Sequence, residues 1–539
     1  MNGKELVRIN DNLKADRALW DQIWQDIADL MVFRKASIIG KREPGVKLTQ
    51  DQYDSTATQA GQDLAAWING NMTGRGMDWF SLKKGGELDE DKQFQEWLEE
   101  SQKKQLAAFR ESNFASEWNE VLLDLVFFNT GCLFAEESEI VKPGFNGFNF
   151  LSVPPGTYSV MLGRDRRAQG LFREFELQAQ AAFERWPDKV SDEIKEAANK
   201  DPSKLFMFIH ACFPGDWFKG NHRNQGKAFA SYYVDAKKKI IMNQGGYTNF
   251  PYFVIPWLRE SGETYGRGPG WTALPEVRTA HKAQELFLQD WALTIRPPLK
   301  VKDQGVIGSV RITPAGLTVV NKMEDIEPLF TGSKYSENRF KREDHRAVIR
   351  EMFHGDKVKF IPPREQTGAM TAYEVARRYQ MAQVLLGPTF GNIIDHGLDL
   401  LVEFGFNMML RNGAFQDPPG DIEQVDVQYE SPLAKAQRIG EVEAINSTLE
   451  AVGLMVEAKP DIFDNFDLDG TAIQIGENFG YPTKLINDKE EVKALRNARA
   501  EAQQQQDALE QAALAAKAGK DMAGALKDAP EGLVEGLAG

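Results

Sequence analysis

The 539-residue chain has only two cysteines, Cys132 and Cys212, and no apolar run approaching eighteen residues. Two cysteines exclude a disulfide framework and suit a reducing compartment. The missing apolar run gives no candidate transmembrane helix. Met1–Ile9 has no apolar signal core, so synthesis and folding in cytoplasm are expected. A basic excess is also missing: 64 Lys and Arg stand against 79 Asp and Glu, a formal net charge of −15. Proteins that grip phosphates over a broad face need the opposite balance. The chain therefore either avoids nucleic acid or meets it without gripping it. No phosphate loop of the Gly-x4-Gly-Lys-Ser/Thr form occurs. The nearest glycine-rich piece, Gly266–Gly270, lacks the lysine and the spacing, and is expected to be a turn before a helix.

What is present is an ordinary globular composition, 42% hydrophobic and 27% charged, with length for roughly three or four domain-sized units. The expected class is α+β, mainly α. Apolar residues at helical spacing, among them Leu13, Trp20, Trp24, Ile27 and Met31, predict a helix over 4–35. Further helices are predicted over 55–72, 89–111 and 113–129. Short β-rich runs punctuated by Pro and Gly follow, at 148–151, 158–162 and 171–175, then at 205–212, 228–234, 239–242 and 252–257, with a helix at 178–186.

Ala273–Ile295 then predicts a long helix, with Val277, Ala280, Ala283, Phe287, Trp291 and Ile295 as its apolar stripe. Arg296-Pro297-Pro298 ends it. A small insert with strand-like runs precedes a second helix at about 336–354, and a loop containing Pro362-Pro363 leads to a long helix from Thr371. Gly387-Pro388 should kink that helix, because proline removes a donor and crowds the preceding turn. Helices are also predicted over 431–457 and 489–518. Along the last, Val492, Leu495, Ala502, Leu509, Ala513 and Ala516 form a seam that Arg499 and Gln506 interrupt.

Chemical constellations are weak. Asn465, Asp467, Asp469 and Gly470 imitate a calcium loop, but the first position is Asn and the twelfth is Gly476, so an acidic turn is the better reading. His210 and Cys212, two apart on a strand, lack a second ligand pair. His345 and His354 are nine apart and suit a surface or a subunit contact. Trp20/Trp24 and Trp79/Phe80 read as core on apolar helices rather than base-stacking platforms. No metal, cofactor or catalytic group is expected, and no enzymatic activity.

Five local signatures appear in one order. Asp54-Ser55-Thr56-Ala57 precedes an Ala-rich helix, and Trp79-Phe80 follows it. Tyr265-Gly266-Arg267-Gly268-Pro269-Gly270 leads into the first long helix. Met370-Thr371-Ala372-Tyr373-Glu374-Val375 opens the kinked one, and Ser431-Pro432-Leu433-Ala434-Lys435-Ala436-Gln437-Arg438 opens the next region. In these, over about residues 15–500, the chain resembles the head-to-tail connecting (portal) proteins of short-tailed phages. The resemblance implies a wing at 1–270, stem helices at 271–296 and 336–355 around a clip at 297–335, and a tunnel loop at 356–370. It further implies a long kinked wing helix at 371–414, a crown at 415–488 and a barrel helix at 489–520, with a disordered tail at 521–539. It implies a homo-oligomeric ring, usually of twelve subunits, at the capsid vertex of the virion. Double-stranded DNA would pass through it, with terminase motor, tail adaptor, capsid and scaffold proteins as partners and no membrane. Another multimeric virion protein, an adaptor or internal core protein, is the alternative.

Within that reading the negative charge suits a conduit, since acidic walls repel a duplex from all sides and let it slide. Lys357, Lys359 and Arg364 of the tunnel loop are the candidates for contacting DNA, and Lys300, Lys302 and Arg311 of the clip for contacting partners. Each set also has a plainer reading as solvated charge.

Overall fold

The computed structural model describes residues 1–35, 37–40, 52–74, 76–84, 92–138, 144–218, 224, 226–301, 306–307, 319–320, 322, 324, 326–328, 335–355, 386–419, 425–429, 432–454, 460–478, 481, 485, 487 and 489–527. The chain divides into two compact units, Met1–Leu88 with Trp97–Ala434, and Asp89–Glu96 with Lys435–Gly539. It is mainly helical, with small antiparallel sheets.

In the first unit, helix α1 (Gly3–Met31) begins with a capping box. Asn2 Oδ1 accepts from the Glu5 amide at 2.9 Å, and Glu5 Oε2 accepts from the Asn2 amide at 3.0 Å, which satisfies two helix-end donors. Its first turns lay Leu6 and Val7 on a five-stranded sheet of β4 (Tyr158–Leu162), β5 (Ala168–Gln178), β6 (Leu205–Pro214), β7 (Phe229–Asp235) and β8 (Ile241–Tyr247), ordered as in the chain. Phe172, Ile209, Phe213, Tyr232 and Val234 form that face. The other face carries Phe208, Tyr233 and Met242 against Ala182 and Trp186 from α5 (Ala179–Arg185) and its C-cap, and Ile194 from α6 (Asp192–Lys200). The central strand β6 is thus covered on both sides, which accounts for its unbroken apolar sequence from Phe206 to Ile209.

Helices α2 (Thr56–Met72), α3 (Lys92–Glu111) and α4 (Phe114–Phe128) precede a three-stranded sheet in which β2 (Thr130–Glu137) lies between β3 (Phe148–Ser152) and β9 (Tyr252–Pro256). Asn129 joins α4 to β2 in the left-handed region at φ 63°. Strand β1 (Phe80–Lys84) pairs antiparallel with β14 (Val425–Tyr429), from Phe80↔Tyr429 to Lys84↔Val425. Between β9 and β14 run α7 (Pro269–Ile295), the short strands β10 (Leu299–Val301), β11 (Val306–Ile307), β12 (Val319–Val320) and β13 (Ile326–Pro328), then α8 (Tyr335–Met352). Residues 386–411 are helical, with a π-helical turn at Ile394–Leu398 followed by α9 (Asp399–Arg411). Of the turn before Pro388, where the kink is expected, residues 384 and 385 lie outside the described residues.

The second unit carries most of α10 (Pro432–Gly453), then α11 (Leu468–Asn478) and α12 (Lys489–Lys527). Helix α12 runs seven residues beyond 520, into the stretch expected to be disordered. Most of its apolar seam is open to solvent: Leu495 and Leu509 are exposed, and Val492 is half-buried.

Candidate functional site

The candidate site is the helical hairpin of α7 and α8 with the small β excursion between them. Its geometry begins at Tyr265–Gly270. A Cβ on Gly270 would come within 1.9 Å of the Phe127 carbonyl oxygen, and one on Gly266 within 2.2 Å of the Asn129 carbonyl oxygen. The Gly266 amide donates to Thr130 Oγ1 at 2.8 Å. These glycines let the start of α7 pass against the α4–β2 corner, so the motif serves close packing. Gly268 is the N-cap and Pro269 the first helical residue, where a missing amide hydrogen costs nothing.

The apolar stripe of α7 then divides along its length. Val277 and Ala280 are buried, Ala283 and Phe287 are half-buried, and Trp291 and Ile295 are exposed at 48% and 60%. Leu286, Leu288 and Leu293 add to this uncovered end. The near half is held by α8. His345 Nδ1 meets Glu276 Oε1 at 2.5 Å, Arg342 Nη1 donates to Gln284 Oε1 at 3.4 Å, and the Arg342 guanidinium lies 5.1 Å from the Phe287 ring centroid.

A further polar link ties α8 to the start of α2. Arg346 Nε donates to Asp54 Oδ2 at 2.7 Å, while Asp54 Oδ1 accepts from the Thr56 amide at 2.8 Å. Burial alone would raise the Asp54 carboxyl, but the Thr56 hydrogen bonds and the Arg346 charge together hold it below the ordinary range. His281 on α7 is buried, and desolvation lowers its pKa against the opposing pull of Asp54. The sequence pattern gives no sign of this Asp54–Arg346 link, because the partners are far apart in the chain.

Of the proposed clip contacts, Lys300 pairs with Glu327 at 2.7 Å across the β10–β13 ladder, where the two residues are in register. Lys302 and Arg311 lie outside the described residues, as do Lys357, Lys359 and Arg364. His354 stands at the end of α8 in the left-handed region, φ 56°.

The other candidates resolve as packing and capping. Trp24 is 1% exposed and its Nε1 donates to the Phe128 carbonyl at 3.1 Å; Trp79 and Phe80 are buried. Trp20 is half-buried against Trp24, Tyr265 and Trp271. His210 is fully enclosed, with Nδ1 2.5 Å from Tyr252 Oη and Nε2 2.9 Å from Ser231 Oγ, and Cys212 is buried. In the calcium-like turn, Asp467 Oδ1 accepts from the Gly470 amide at 2.9 Å, and both oxygens of Asp469 accept from Arg496 at 2.7 Å. These carboxylates are engaged within the protein. Among the described residues, no group of three or more His, Cys, Asp and Glu is arranged to hold a metal ion.

The comparisons with known proteins agree in direction. The model of the family described as bacteriophage head to tail connecting protein matches residues 4–486. A probable portal protein of Bordetella phage BPP-1 is 27% identical over 516 residues, covering 93% of this chain and 91% of that protein. The portal protein of Salmonella phage epsilon15 is 20% identical, covering 96% of this chain and 95% of that one. Among solved structures, a chain from the neck of a native gene transfer agent particle, computed with C12 symmetry, matches 77% of this chain and 93% of its own length. Its identity is 13% and its TM-score 0.36, too distant to position any element.

Proposed function

Because the chain belongs to the bacteriophage head to tail connecting proteins, and its role is that of a structural portal component of the virion, we propose that its copies close into a twelve-membered ring at the capsid vertex. Double-stranded DNA enters and leaves through the central channel. Terminase motor and tail adaptor dock on the clip side, and capsid and scaffold proteins surround the wing. The function is mechanical and requires no enzymatic step.

The observation that carries this reading is the division of the α7 stripe. A helix whose apolar side chains are buried at one end and open at the other needs cover that the described residues of its own chain do not supply. Copies standing side by side supply it by a repeated head-to-tail contact, which closes if the rotation between neighbours closes. Apolar burial there provides most of the assembly energy, since exposed ion pairs contribute only about 0–1 kcal/mol each.

Under this proposal the net charge of −15 is multiplied around the channel and keeps the duplex central. Lys357, Lys359 and Arg364 would guide DNA at the narrowest point, and Lys302 and Arg311 would remain for partners, Lys300 being paired with Glu327. Electron microscopy of the purified protein tests the ring: closed particles with a pore wide enough for a duplex are expected. A globular monomer at all concentrations overturns the proposal. If Lys357→Ala with Lys359→Ala leaves packaging and retention of DNA unchanged, the guiding role of those lysines is wrong.

A further inference from the structure

In a chain rich in carboxylates, one corner of the first unit collects arginines that no carboxylate meets among the described residues. The turn between β4 and β5 is Gly163-Arg164-Asp165-Arg166-Arg167, closed by hydrogen bonds from the Gly163 amide to the Arg167 carbonyl at 2.9 Å and from the Arg166 amide to the Gly163 carbonyl at 3.1 Å. Arg166 sits in the left-handed region at φ 60°. Arg259, in the loop after β9, reaches this turn and donates from Nη1 to the Arg166 carbonyl, while Arg166 Nη2 donates to the Glu260 carbonyl at 2.9 Å. His396, half-buried in the π-helical turn, feels the charges of Arg259 and Arg167.

The nearby carboxylates do not balance this corner. Asp165 Oδ1 accepts from the Arg167 amide at 3.1 Å and from Gln169 Nε2 at 3.3 Å, so it serves the turn itself. Among the described residues, none of Arg164, Arg166, Arg167 and Arg259 forms an ion pair. Arg259 goes further: its Nε and Nη2 are both out of contact with solvent and have no hydrogen-bond partner. These two N–H groups lie on one edge of the guanidinium and point the same way. They form the fork that receives two oxygens of a single oxyanion. Burial, together with repulsion from Arg166, already strains the charged form of Arg259. Two enclosed N–H groups of a half-buried guanidinium left without acceptors are costly to a fold, which argues for a ligand that completes them.

We propose that Arg259, with Arg166, Arg167 and His396 around it, forms a binding site for a phosphate group. Convergence of several cations suits a phosphate better than one carboxylate, since the two carboxylates already near His396, Asp165 and Asp395, leave the Arg259 fork empty. The residues of the tip, Arg164 to Arg167, are exposed, and the Arg166 carbonyl at the tip accepts from Arg259 Nη1. The phosphate can come from a nucleic-acid backbone or from the free ion.

The test is thermal unfolding of the full chain in increasing inorganic phosphate, with ionic strength held constant by chloride. Wild type should gain stability in a saturable way. Arg259→Gln should weaken the apparent affinity by about tenfold or more, because two charge-assisted hydrogen bonds are lost. In phosphate-free buffer that variant should be at least as stable as wild type, which a merely structural arginine would not show. Should Arg259→Gln fail to fold, Arg166→Gln with Arg167→Gln at the exposed tip carries the same test. A short DNA duplex that competes with phosphate identifies the nucleic-acid backbone as the source; one that does not compete identifies the free ion. No response in wild type, or an equal response in the variants, overturns the proposal. So does acetate acting as strongly as phosphate, because the site would then serve a protein carboxylate.

Discussion

Arg346 on α8 donates from Nε to Asp54 Oδ2 at 2.7 Å, joining the second helix of the hairpin to the residue whose other carboxylate oxygen accepts from the first amide of α2. The Asp54 side chain is 4% exposed and that of Arg346 25%, so the pair is shielded from water on the carboxylate side. Removing Arg346 strands a buried carboxylate, and Arg346→Ala should cost roughly 2–4 kcal/mol. A double-mutant cycle with Asp54→Asn should give a coupling of roughly 1–3 kcal/mol by chemical denaturation. The folded carboxyl lies below its unfolded value of about 3.9. Its contribution is therefore complete above about pH 4 and is lost as pH falls through the folded pKa. Additive single mutants would show that the two residues act separately.

Gly270 offers a sharper steric test. The atom nearest an added Cβ is backbone, the Phe127 carbonyl oxygen at 1.9 Å, which cannot rotate away. Gly270→Ala should destabilise by about 3 kcal/mol or more, or prevent accumulation of folded protein. Gly245 in β8 has open space around the same position, so Gly245→Ala should change stability by no more than about 0.5 kcal/mol. Equal effects in a thermal melt would mean that backbone freedom, and not close packing, explains the glycine motif.

These two contacts show what could be read in advance and what could not. Helical spacing located α1, α2, α4 and α7 nearly to their ends, because each buries a periodic apolar face. Trp24 was legible as core for the same reason, whereas Trp79 and Phe80, expected on a helix, are core at the start of strand β1, and Trp20 is only half-buried. Strand β1 was not legible, since its partner strand among the described residues lies at Val425–Tyr429 and a five-residue run has little pattern of its own. Strand β2 was hidden because the apolar run of α4 resumes in it after only Asn129-Thr130-Gly131, with the left-handed Asn129 marking the turn. Helix α6 is nine residues long and mostly charged, and it forms by laying Ile194 and Ala197 on its neighbours. Of the site, the hairpin order and the Gly266–Gly270 entry were readable. The Asp54–Arg346 link, 292 residues apart, and the Arg259 corner, where Arg259 meets Arg166 across 93 residues, were not, because polar contacts between distant segments leave no periodic trace.

Two buried groups should give opposite pH slopes. Burial pushes the Asp124 carboxyl up to about 6 despite the neighbouring Lys35, so the folded state holds its proton more tightly than the unfolded chain. Its favourable contribution is present below about pH 4 and is lost as pH rises through about 6. His210 is the reverse. Burial, reinforced by the charges of Arg173 and Arg185, holds its imidazole well below the usual value. Its contribution is full above about pH 6.5 and declines as pH falls toward the folded pKa. Between about pH 4 and 6 the two slopes oppose. Melting temperature against pH should therefore rise more steeply with pH in Asp124→Asn than in wild type over this window. In His210→Gln the rise should flatten or invert. Parallel curves for all three proteins would mean that neither group titrates across the window.

The exposed end of α7 gives the most direct link from side chain to assembly. Trp291 and Ile295 are 48% and 60% exposed, and both belong to the stripe that is buried nearer the start of the helix. Trp291→Asp with Ile295→Asp removes apolar surface and adds charge where neighbouring copies would meet. Within one chain these side chains have little cover to lose, so the stability of the isolated subunit should stay within about 0.5 kcal/mol per site. Burying a large apolar side chain is worth roughly 1.5–3 kcal/mol, and a ring repeats that contact at every interface. Light scattering after size exclusion should therefore show the double variant shifted from closed particles to monomers or small open oligomers, with its helical circular dichroism unchanged. Conservative Trp291→Phe should still assemble, because it keeps most of the apolar area without adding charge. Intact rings in the Asp double variant would place the subunit contact elsewhere and remove the support that α7 lends to the portal assembly.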